Sequence, residues 1–413
     1  MRLLAATAAL FALFVLAGSL GFAQEPQPVP MRIPPSGGYR MLTQDGKTAV
    51  PFEFISNHVV IPVEVNGHTF KLILDTGMPV DGALLLGSEA VDGLGLEFIG
   101  KAPVMGPGGG RVDSDLAMGV SFELPGVELT NQMILVMPPE STRSRHFEGK
   151  DGVIGRSLFS HFVVRIDYDS MKVTLTEPER FEYTGSGREL PVRIDRYPFL
   201  VCEASIVGDA SFPLELVLDT GNGAASTLNI GAEEGLVLPE KVIEYHTRSV
   251  GQEIIRLTGR IKRLQFGPYV FTNLLSSFRT SDHGPAPPWE RAGALGQEVL
   301  RRFNVVFDYA HSRIILEPNG HFDEPFEFNM AGIQFIRASQ GGFQVTRVIP
   351  GSPASDAGLR AGDYISQING QTAGQLGVDD AERLLRREGT EVTLDVLRGD
   401  ESIHVRFTLR RLI

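Results

Sequence analysis

The sequence predicts a mainly β protein, in which two copies of one β-barrel unit are followed by a separate C-terminal module. From about residue 46 to residue 320, short apolar runs of alternating hydrophobicity are separated by Gly, Pro, Asn and Asp, which is typical of antiparallel sheets. Three landmarks occur twice in this region, in the same order and at nearly the same spacing. Beyond residue 325 the landmarks stop, and a different pattern of strands with one amphipathic helix begins.

Length, composition and charge limit the possible classes of protein. The 413 residues are too many for one hydrophobic core by the usual size of domains. With 42% hydrophobic and 21% charged residues, the chain has the composition of a globular protein without several membrane spans. The net charge of -12 works against a surface for phosphate groups, so we expect no nucleic acid partner. Cys202 is the single cysteine, and its apolar surroundings predict a buried thiol.

The N-terminus predicts export. Arg2 precedes an apolar run over residues 3–22, so residues 1–23 are interpreted as a signal peptide that is cleaved after Ala23. An uncleaved anchor is the alternative, because about 20 apolar residues can span a bilayer. The mature protein is then expected in the periplasm or secreted, and at a membrane only if this segment stays attached. Residues 24–45 are rich in Pro and Gly, which predicts a tether.

The internal repeat divides the middle of the chain into two lobes, residues 46–180 and 186–320. Its landmarks are an apolar run ending in Asp-Thr-Gly, an apolar-apolar-Gly element and a strand that ends in Asp-Tyr. The equivalent segments are 72–77 and 216–221, 151–155 and 292–296, and 164–168 and 305–309. The second copy follows the first by 144 residues at the first landmark (75 to 219) and by 141 at the second (155 to 296), which indicates a duplicated unit.

The repeated triplet carries the candidate chemistry. The two copies are Asp75-Thr76-Gly77 and Asp219-Thr220-Gly221. Each apolar strand would deliver its Asp to the floor of a cleft, where poor solvation favours the neutral carboxyl. The Gly leaves room for a tight turn and a substrate backbone, and the Thr hydroxyl can be satisfied between the lobes. If the lobes face each other, the two carboxyls share one proton, so one can deprotonate water while the other hydrogen-bonds a carbonyl oxygen.

Residues 48 to 320 resemble the aspartic peptidases, as two retropepsin-like units in tandem, which is also the bilobal arrangement of pepsin-type enzymes. The resemblance implies an endopeptidase that acts on proteins or peptides through Asp75 and Asp219 and needs no metal or cofactor. It also implies flap hairpins over the cleft, for which the candidates are Gly108, Gly109 and Gly251. We expect the active site within one monomer, since fusion raises the local concentration of the second lobe; pairing of each lobe with another chain is the alternative.

Two residues depart from the pepsin pattern. Met78 and Asn222 stand where pepsin-like enzymes place a Ser or Thr that hydrogen-bonds the carboxylate, a departure that retropepsin-like members tolerate. A catalytically inactive scaffold that binds peptides is therefore the alternative function. A metal site is not expected, because the histidines, such as His58 and His146, lack metal-ligand spacing.

Residues 327–413 resemble the PDZ domains of bacterial exported proteases, a β-sandwich with two helices. The match comprises Gly332-Ile333-Gln334-Phe335, a Pro-Gly-Ser-Pro-Ala element from residue 350 and an Ala-Gly-Leu-Arg-Ala-Gly-Asp run from residue 357. The resemblance implies that a peptide ligand adds a strand beside residues 333 to 337 and packs on the helix around Leu384. A module that packs on the rest of the protein is the alternative.

Overall fold

The structure is a computed structural model that describes residues 37–139, 145–283 and 290–413. The predicted signal peptide, residues 1–23, and residues 24–36 of the predicted tether lie outside this part. No helix among the described residues has the length and apolar character needed to cross a membrane. The predicted fold class, mainly β with barrels and a C-terminal PDZ-like domain, is confirmed.

Lobe 1 is a closed ring of strands with additional strands outside it. Its elements are β1 (Tyr39–Met41), β2 (Lys47–Pro51), β3 (Glu53–Ile55), β4 (His58–Val65), β5 (His68–Leu74), β6 (Gly82–Leu86), α1 (Glu89–Asp92), β7 (Phe98–Met105), β8 (Arg111–Leu124), β9 (Val127–Met137), β10 (Gly152–Ile154), α2 (Arg156–Phe159), β11 (Val163–Asp167) and β12 (Lys172–Thr176). The ring runs β4-β5-β10-β6-β9-β8 and closes by pairing of β8 with β4. Its inner side chains are apolar and buried, so the ring encloses the core of the lobe.

Lobe 2 repeats this ring. Its elements are β13 (Arg188–Pro191), β14 (Arg193–Asp195), β15 (Tyr197–Ser205), β16 (Phe212–Asp219), β17 (Ser226–Asn229), β18 (Val242–Ser249), β19 (Gln252–Phe266), β20 (Tyr269–Arg279), β21 (Gly293–Gly296), α3 (Gln297–Leu300), β22 (Phe303–Asp308) and β23 (Arg313–Pro318). The ring β15-β16-β21-β17-β20-β19 closes by pairing of β19 with β15. The same order of equivalent strands agrees with duplication of one unit.

A six-stranded sheet joins the lobes. Its order is β13-β23-β22-β11-β12-β2, with three strands from each lobe. The central pair is antiparallel β11 and β22, in which Val164 lies opposite Phe307 and Ile166 opposite Val305. These strands are the third landmark of the repeat. Main-chain hydrogen bonds therefore fix the two lobes against each other.

The C-terminal domain has its own sheet and core. Its elements are β24 (Ile333–Arg337), β25 (Phe343–Val348), α4 (Pro353–Asp356), β26 (Tyr364–Ile368), β27 (Gln371–Thr372), α5 (Val378–Leu384), β28 (Glu391–Arg398) and β29 (Glu401–Thr408). The strand order is β24-β25-β26-β28-β29, with β27 beside β26, so β24 is an edge strand. A separate cluster of buried apolar side chains fills this domain.

One end of the predicted tether belongs to lobe 1. Residues 39–41 form β1, which pairs with β9 so that Tyr39 lies opposite Leu129. The Tyr39 ring packs 4.7 Å from that of Phe162. The boundary predicted at residue 45 is therefore too late. Composition alone does not reveal β1, because a single aromatic side chain and three main-chain pairs are enough to attach so short a strand.

Candidate active site

Two equivalent loops carry the predicted aspartates. Asp75 follows β5 directly, and its amide donates a hydrogen bond to the carbonyl oxygen of Ile154 at 2.8 Å. Asp219 ends β16 and lies opposite Gly296 of the parallel strand β21. The apolar-apolar-Gly elements of the sequence are thus strands β10 and β21, each beside a strand that ends at an aspartate.

The threonines of the triplets join the two loops. The Thr76 amide donates to Thr220 Oγ1 at 3.0 Å, and the Thr220 amide donates to Thr76 Oγ1 at 3.0 Å. Thr76 Oγ1 donates to the carbonyl oxygen of Leu218 at 2.6 Å, and Thr220 Oγ1 donates to that of Leu74 at 2.7 Å. Both threonines are buried. This symmetric set of bonds holds the two loops, and hence the two aspartates, face to face.

The glycines allow the two carboxyls to approach. Gly77 N donates to Asp75 Oδ1 at 2.6 Å, and Gly221 N donates to Asp219 Oδ1 at 3.0 Å. A Cβ on Gly221 would lie 2.3 Å from Asp75 Cγ, and one on Gly77 would lie 2.8 Å from Asp219 Oδ1. Any side chain at either position would strike the opposite carboxyl. The two carboxyls therefore border the same small space.

The two carboxyls differ in acidity. Burial raises the pKa of Asp75, while hydrogen bonds from Gly77 N, from Asp219 and from Gly221 N partly offset that rise. The pKa of Asp219 lies well above its usual range, because burial acts together with the negative charges of Asp75 and Glu290. The pair titrates as a unit. The pair therefore ionises in two steps, and the negative charge of the first carboxylate opposes ionisation of the second.

Met78 and Asn222 do not replace the missing hydroxyls. Met78 is buried in an apolar cluster with Ile73 and Val153. Asn222 Nδ2 donates to Thr227 Oγ1 at 3.1 Å, and its Oδ1 accepts from Ala224 N at 3.2 Å. The side chains of Met78 and Asn222 therefore stabilise the structure of their own lobes. Among the described residues, the hydrogen bonds to the two aspartate carboxyls are donated by the Asp-Thr-Gly triplets themselves.

Two long hairpins meet over the pair. The first hairpin, β7 and β8, turns at residues 106–110, and the second hairpin, β18 and β19, turns at Gly251. Gln252 Nε2 donates to the carbonyl oxygen of Gly108 at 2.7 Å. Gly108, Gly109 and Gly251 all have positive φ, of 83°, 82° and 68°. The predicted flap residues therefore lie at turns that glycine favours, and the two tips touch.

In each lobe, one ring-bearing side chain lies near the Asp-Thr-Gly loop of the other lobe. His58 and Tyr197 occupy equivalent positions in the two lobes. Each is the first residue of its strand and lies two residues before the residue that pairs with Ile73 in lobe 1 or with Val217 in lobe 2. His58 Nε2 lies 3.1 Å from the carbonyl oxygen of Gly221. Burial, with a smaller effect of the Lys150 charge, lowers the pKa of His58 to about 4. A neutral His58 therefore donates to the loop that carries Asp219.

Tyr197 lies near the other aspartate. The pKa of its phenol is raised by burial first and then by the Asp75 charge. From the sequence, His58 was considered only as a metal ligand, and Tyr197 was not predicted. Only a comparison of strand register between the two copies of the repeat could have identified His58 and Tyr197 as equivalent positions.

Three charged residues that the sequence did not single out lie beside Asp219. Arg279 and Glu290 form a buried ion pair, with Nη1 3.0 Å from Oε2. Arg256 Nη1 lies 3.5 Å from Thr227 Oγ1. Burial and then the Arg279 charge lower the pKa of Arg256 to about 10, so it remains a cation near neutral pH.

The predicted peptide-binding residues of the C-terminal domain have different surroundings. Ile333 and Phe335 are buried in the core of that domain, so only their main chain faces the free edge of β24. Leu384 packs partly buried on the same core. Gly332 has a φ of 75°, and an added Cβ would lie 2.2 Å from Ser352 Cβ, which explains the glycine.

Gln334 contacts the second hairpin. Its Oε1 accepts from His246 N at 3.2 Å, and its Nε2 donates to the His246 carbonyl oxygen at 2.7 Å. Arg347 Nη2 donates to Glu244 Oε1 at 2.7 Å on the same strand, β18. The C-terminal domain also reaches lobe 1, where Asp379 of α5 accepts from Ser56 N at 2.7 Å. The edge of the domain predicted to bind peptides therefore adjoins the hairpins.

Two segments of the chain match known families. Residues 61–158 match the family model described as aspartyl protease, and residues 344–398 match the PDZ domain. Serine protease HTRA1 of Xenopus tropicalis is 34% identical over 71 residues, which are 17% of this chain and 15% of that protein. A probable CtpA-like serine protease of Staphylococcus aureus is 38% identical over 69 residues, 16% of this chain and 14% of that protein. The chain thus spans about one seventh of the length of these relatives.

Among solved structures, the aspartic proteinase from Irpex lacteus aligns with 68% of this chain and 99% of its own, at 15% identity and a TM-score of 0.44. The resemblance stated from the sequence is confirmed by the two family models. The chain carries a region that matches the aspartyl proteases, followed at its C-terminus by a PDZ domain.

Proposed function

We propose that the protein is an aspartic endopeptidase that hydrolyses peptide bonds in proteins or peptides. The observation that supports this best is the meeting of the Asp75 and Asp219 carboxyls, whose loops are held by the reciprocal bonds of Thr76 and Thr220. A buried carboxyl pair with separated acidities is the arrangement that general acid–base hydrolysis needs. The match of residues 61–158 to the aspartyl proteases supports the same reaction.

In the proposed reaction the single proton of the pair starts on Asp219, the carboxyl whose pKa is raised by burial and by the charge of its partner. A water molecule between the carboxyls gives a proton to ionised Asp75 and attacks the carbonyl carbon, while protonated Asp219 gives its proton to the carbonyl oxygen. The resulting tetrahedral diol collapses when Asp75 returns its proton to the leaving nitrogen and Asp219 recovers a proton from a hydroxyl of the diol. The C–N bond breaks, one water is consumed, and the pair regains its single proton. The touching hairpin tips must separate to admit substrate and can then exclude water.

The test is turnover of a mixed peptide library by the purified chain between about pH 3 and about pH 8. Asp75→Asn and Asp219→Asn should each reduce cleavage by about 10³-fold. Asp209→Asn is the matched control, because Asp209 is exposed and pairs with Lys262. Cleavage that persists in both active-site variants would assign the activity to another site, and absence of cleavage at every pH would favour the inactive scaffold. The observation that favours an inactive scaffold is that Met78 and Asn222 provide no hydroxyl donor to the carboxyls.

We also propose that the chain is exported and that its PDZ domain binds peptide segments of substrates beside β24. The N-terminal sequence supports export, and the free edge of β24 supports peptide addition. Cell fractionation with an antibody to lobe 2 tests the first point. Recovery of the protein in the cytoplasm with its N-terminus intact would contradict it.

A further inference from the structure

Arg256 faces the cleft from the second hairpin. Side chains alternate along a strand, so Arg256 shares a face of β19 with Ile254. Ile254 lies against the tip of the first hairpin, where a Cβ on Gly108 would be 2.6 Å from Ile254 Cγ2. The guanidinium also reaches the loop after Asp219, because Thr227 Oγ1 lies 3.5 Å from Arg256 Nη1 and accepts from Asn222 Nδ2. Arg256 therefore lies between the hairpin tips and Asp219.

No carboxylate among residues 37–139, 145–283 and 290–413 forms an ion pair with this guanidinium. Among the described residues, the one hydrogen bond of Arg256 is the long contact to Thr227. Besides Asp219, the carboxylate whose charge acts on Arg256 is Glu290. Glu290 is paired with Arg279, which also donates to Asn229 Oδ1 at 3.0 Å. A half-buried cation without a partner costs folding free energy, and an arriving anion would remove that cost. The unused donors of Arg256 are thus available to a ligand.

The surroundings of Arg256 are positive. Burial lowers the pKa of His146, and the charges of Lys150 and Arg256 lower it further. Lys150 is buried and donates to the His146 carbonyl oxygen at 2.5 Å. Cationic side chains from both lobes therefore act on the same space, which favours a negatively charged group there.

We infer that Arg256 forms a subsite for a carboxylate of the substrate, so the enzyme selects peptides with an acidic side chain or a free C-terminus close to the cleaved bond. A guanidinium can bind a carboxylate through two parallel hydrogen bonds, which a neutral amide cannot match. The inference rests on the proposed peptidase function, since it names the substrates of that site. An Arg256 that acted only as a distant counter-ion of the aspartate pair would not distinguish acidic from neutral peptides.

Binding is measured first, in the Asp219→Asn background, so that the result does not depend on turnover. The ligands are fluorescent peptides, acetylated and amidated, that carry Glu or Gln at successive positions; a second set compares a free C-terminus with its amide. We expect one Glu peptide, or one free-acid peptide, to bind about tenfold more tightly than its neutral counterpart. The set that shows the preference identifies the source of the carboxylate.

Variants then assign that preference to Arg256. Arg256→Gln should reduce it to less than about twofold, and Arg256→Lys should leave an intermediate value, because the charge remains without the planar pair of donors. Arg248→Gln removes the same charge from an exposed position of the same hairpin and should keep the full preference. Circular dichroism and the thermal midpoint establish that each variant is folded. If Arg256→Gln is not folded, Arg256→Lys decides the assignment.

Several outcomes would overturn the inference. The first is equal binding of acidic and neutral peptides by the wild type. The second is a preference for acidic peptides that survives Arg256→Gln. If Arg256→Gln does not fold, the second outcome is an undiminished preference in Arg256→Lys. A shift of the pH profile of turnover without a change in preference would identify Arg256 as a counter-ion instead. The ratio of kcat/KM for Glu and Gln peptides in the wild type is measured separately. Absence of any cleavage would contradict the proposed peptidase, while the binding comparison would still decide whether the subsite exists.

Discussion

The two lobes share one order of strands, yet their hairpins are supported differently. In the first hairpin, outer strand β7 is largely exposed, with Ile99 62% and Met105 57% exposed. In the second hairpin, outer strand β18 is bonded to the PDZ domain through Gln334 and Arg347. One hairpin is thus supported mainly by its own lobe, while the other is braced by a separate domain. Duplicated halves of an active site can therefore acquire different mobility from what packs outside them.

Replacing a carboxyl of the aspartate pair should have the largest effect on activity. Asp219→Asn removes the protonated member, and turnover should fall by about 10³-fold. The variant should also unfold at a higher temperature than the wild type at about pH 8. The reason is that the raised pKa of Asp219 makes its ionised form costly in the folded state, so stability is lost as pH rises from the carboxyl's ordinary pKa to the raised one. At about pH 3 the carboxyl is protonated in both states, and the gain should vanish. Equal gains at both pH values would contradict the raised pKa.

The equivalent rings His58 and Tyr197 should respond differently to acid. The folded-state pKa of His58 is about 4, below the ordinary value of 6.5. The unfolded chain therefore binds a proton first, and the free energy of unfolding should fall by about 3 kcal/mol as pH decreases from about 6.5 to about 4. His58→Gln should flatten this decline in urea titrations, and His68→Gln, at an exposed position, should not. A wild-type stability that is constant over this interval would refute the assignment.

The threonine bonds test how symmetric the lobes are. Thr76→Val and Thr220→Val each remove a hydroxyl that donates to one buried carbonyl oxygen and accepts from one amide. Each should lower the free energy of unfolding by about 2 kcal/mol, and the double variant by less than the sum, because the two hydroxyls belong to one network. Denaturant titration measures all three. Unequal single effects would show that the bonds are symmetric in geometry but not in energy.

The brace on the second hairpin should give the smallest effect. Gln334→Ala removes both bonds to the main chain of His246, so amide exchange in β18 should accelerate about tenfold, as expected when local opening costs about 1.4 kcal/mol less. Exchange in the first hairpin should not change. Gln344→Ala on β25 is the matched control, because Gln344 is exposed. Equal acceleration of both hairpins would show that the tips, rather than the PDZ domain, determine their mobility.

Sequence patterns revealed the parts of the site that are local and repeated. Asp75 and Asp219 stand out because the duplication places each after an apolar strand, and the glycines stand out because tight turns and an opposing carboxyl exclude a Cβ. Arg256 and His58 carry no such local signal. Their surroundings are created by residues of the other lobe or by strands far along the chain, and only strand register and folding bring those groups together. Strand β1 was missed for the same reason, since its partner β9 lies about 90 residues away.

The central pairing of β11 with β22 has a consequence for how the site assembles. Because Val164 and Phe307 lie opposite each other in one continuous chain, the meeting of Asp75 with Asp219 is a first-order event. The fraction of molecules with a complete carboxyl pair is therefore independent of protein concentration. A version of the fold built from two separate lobes would lose its pair on dilution, whereas this chain keeps it however few copies are present.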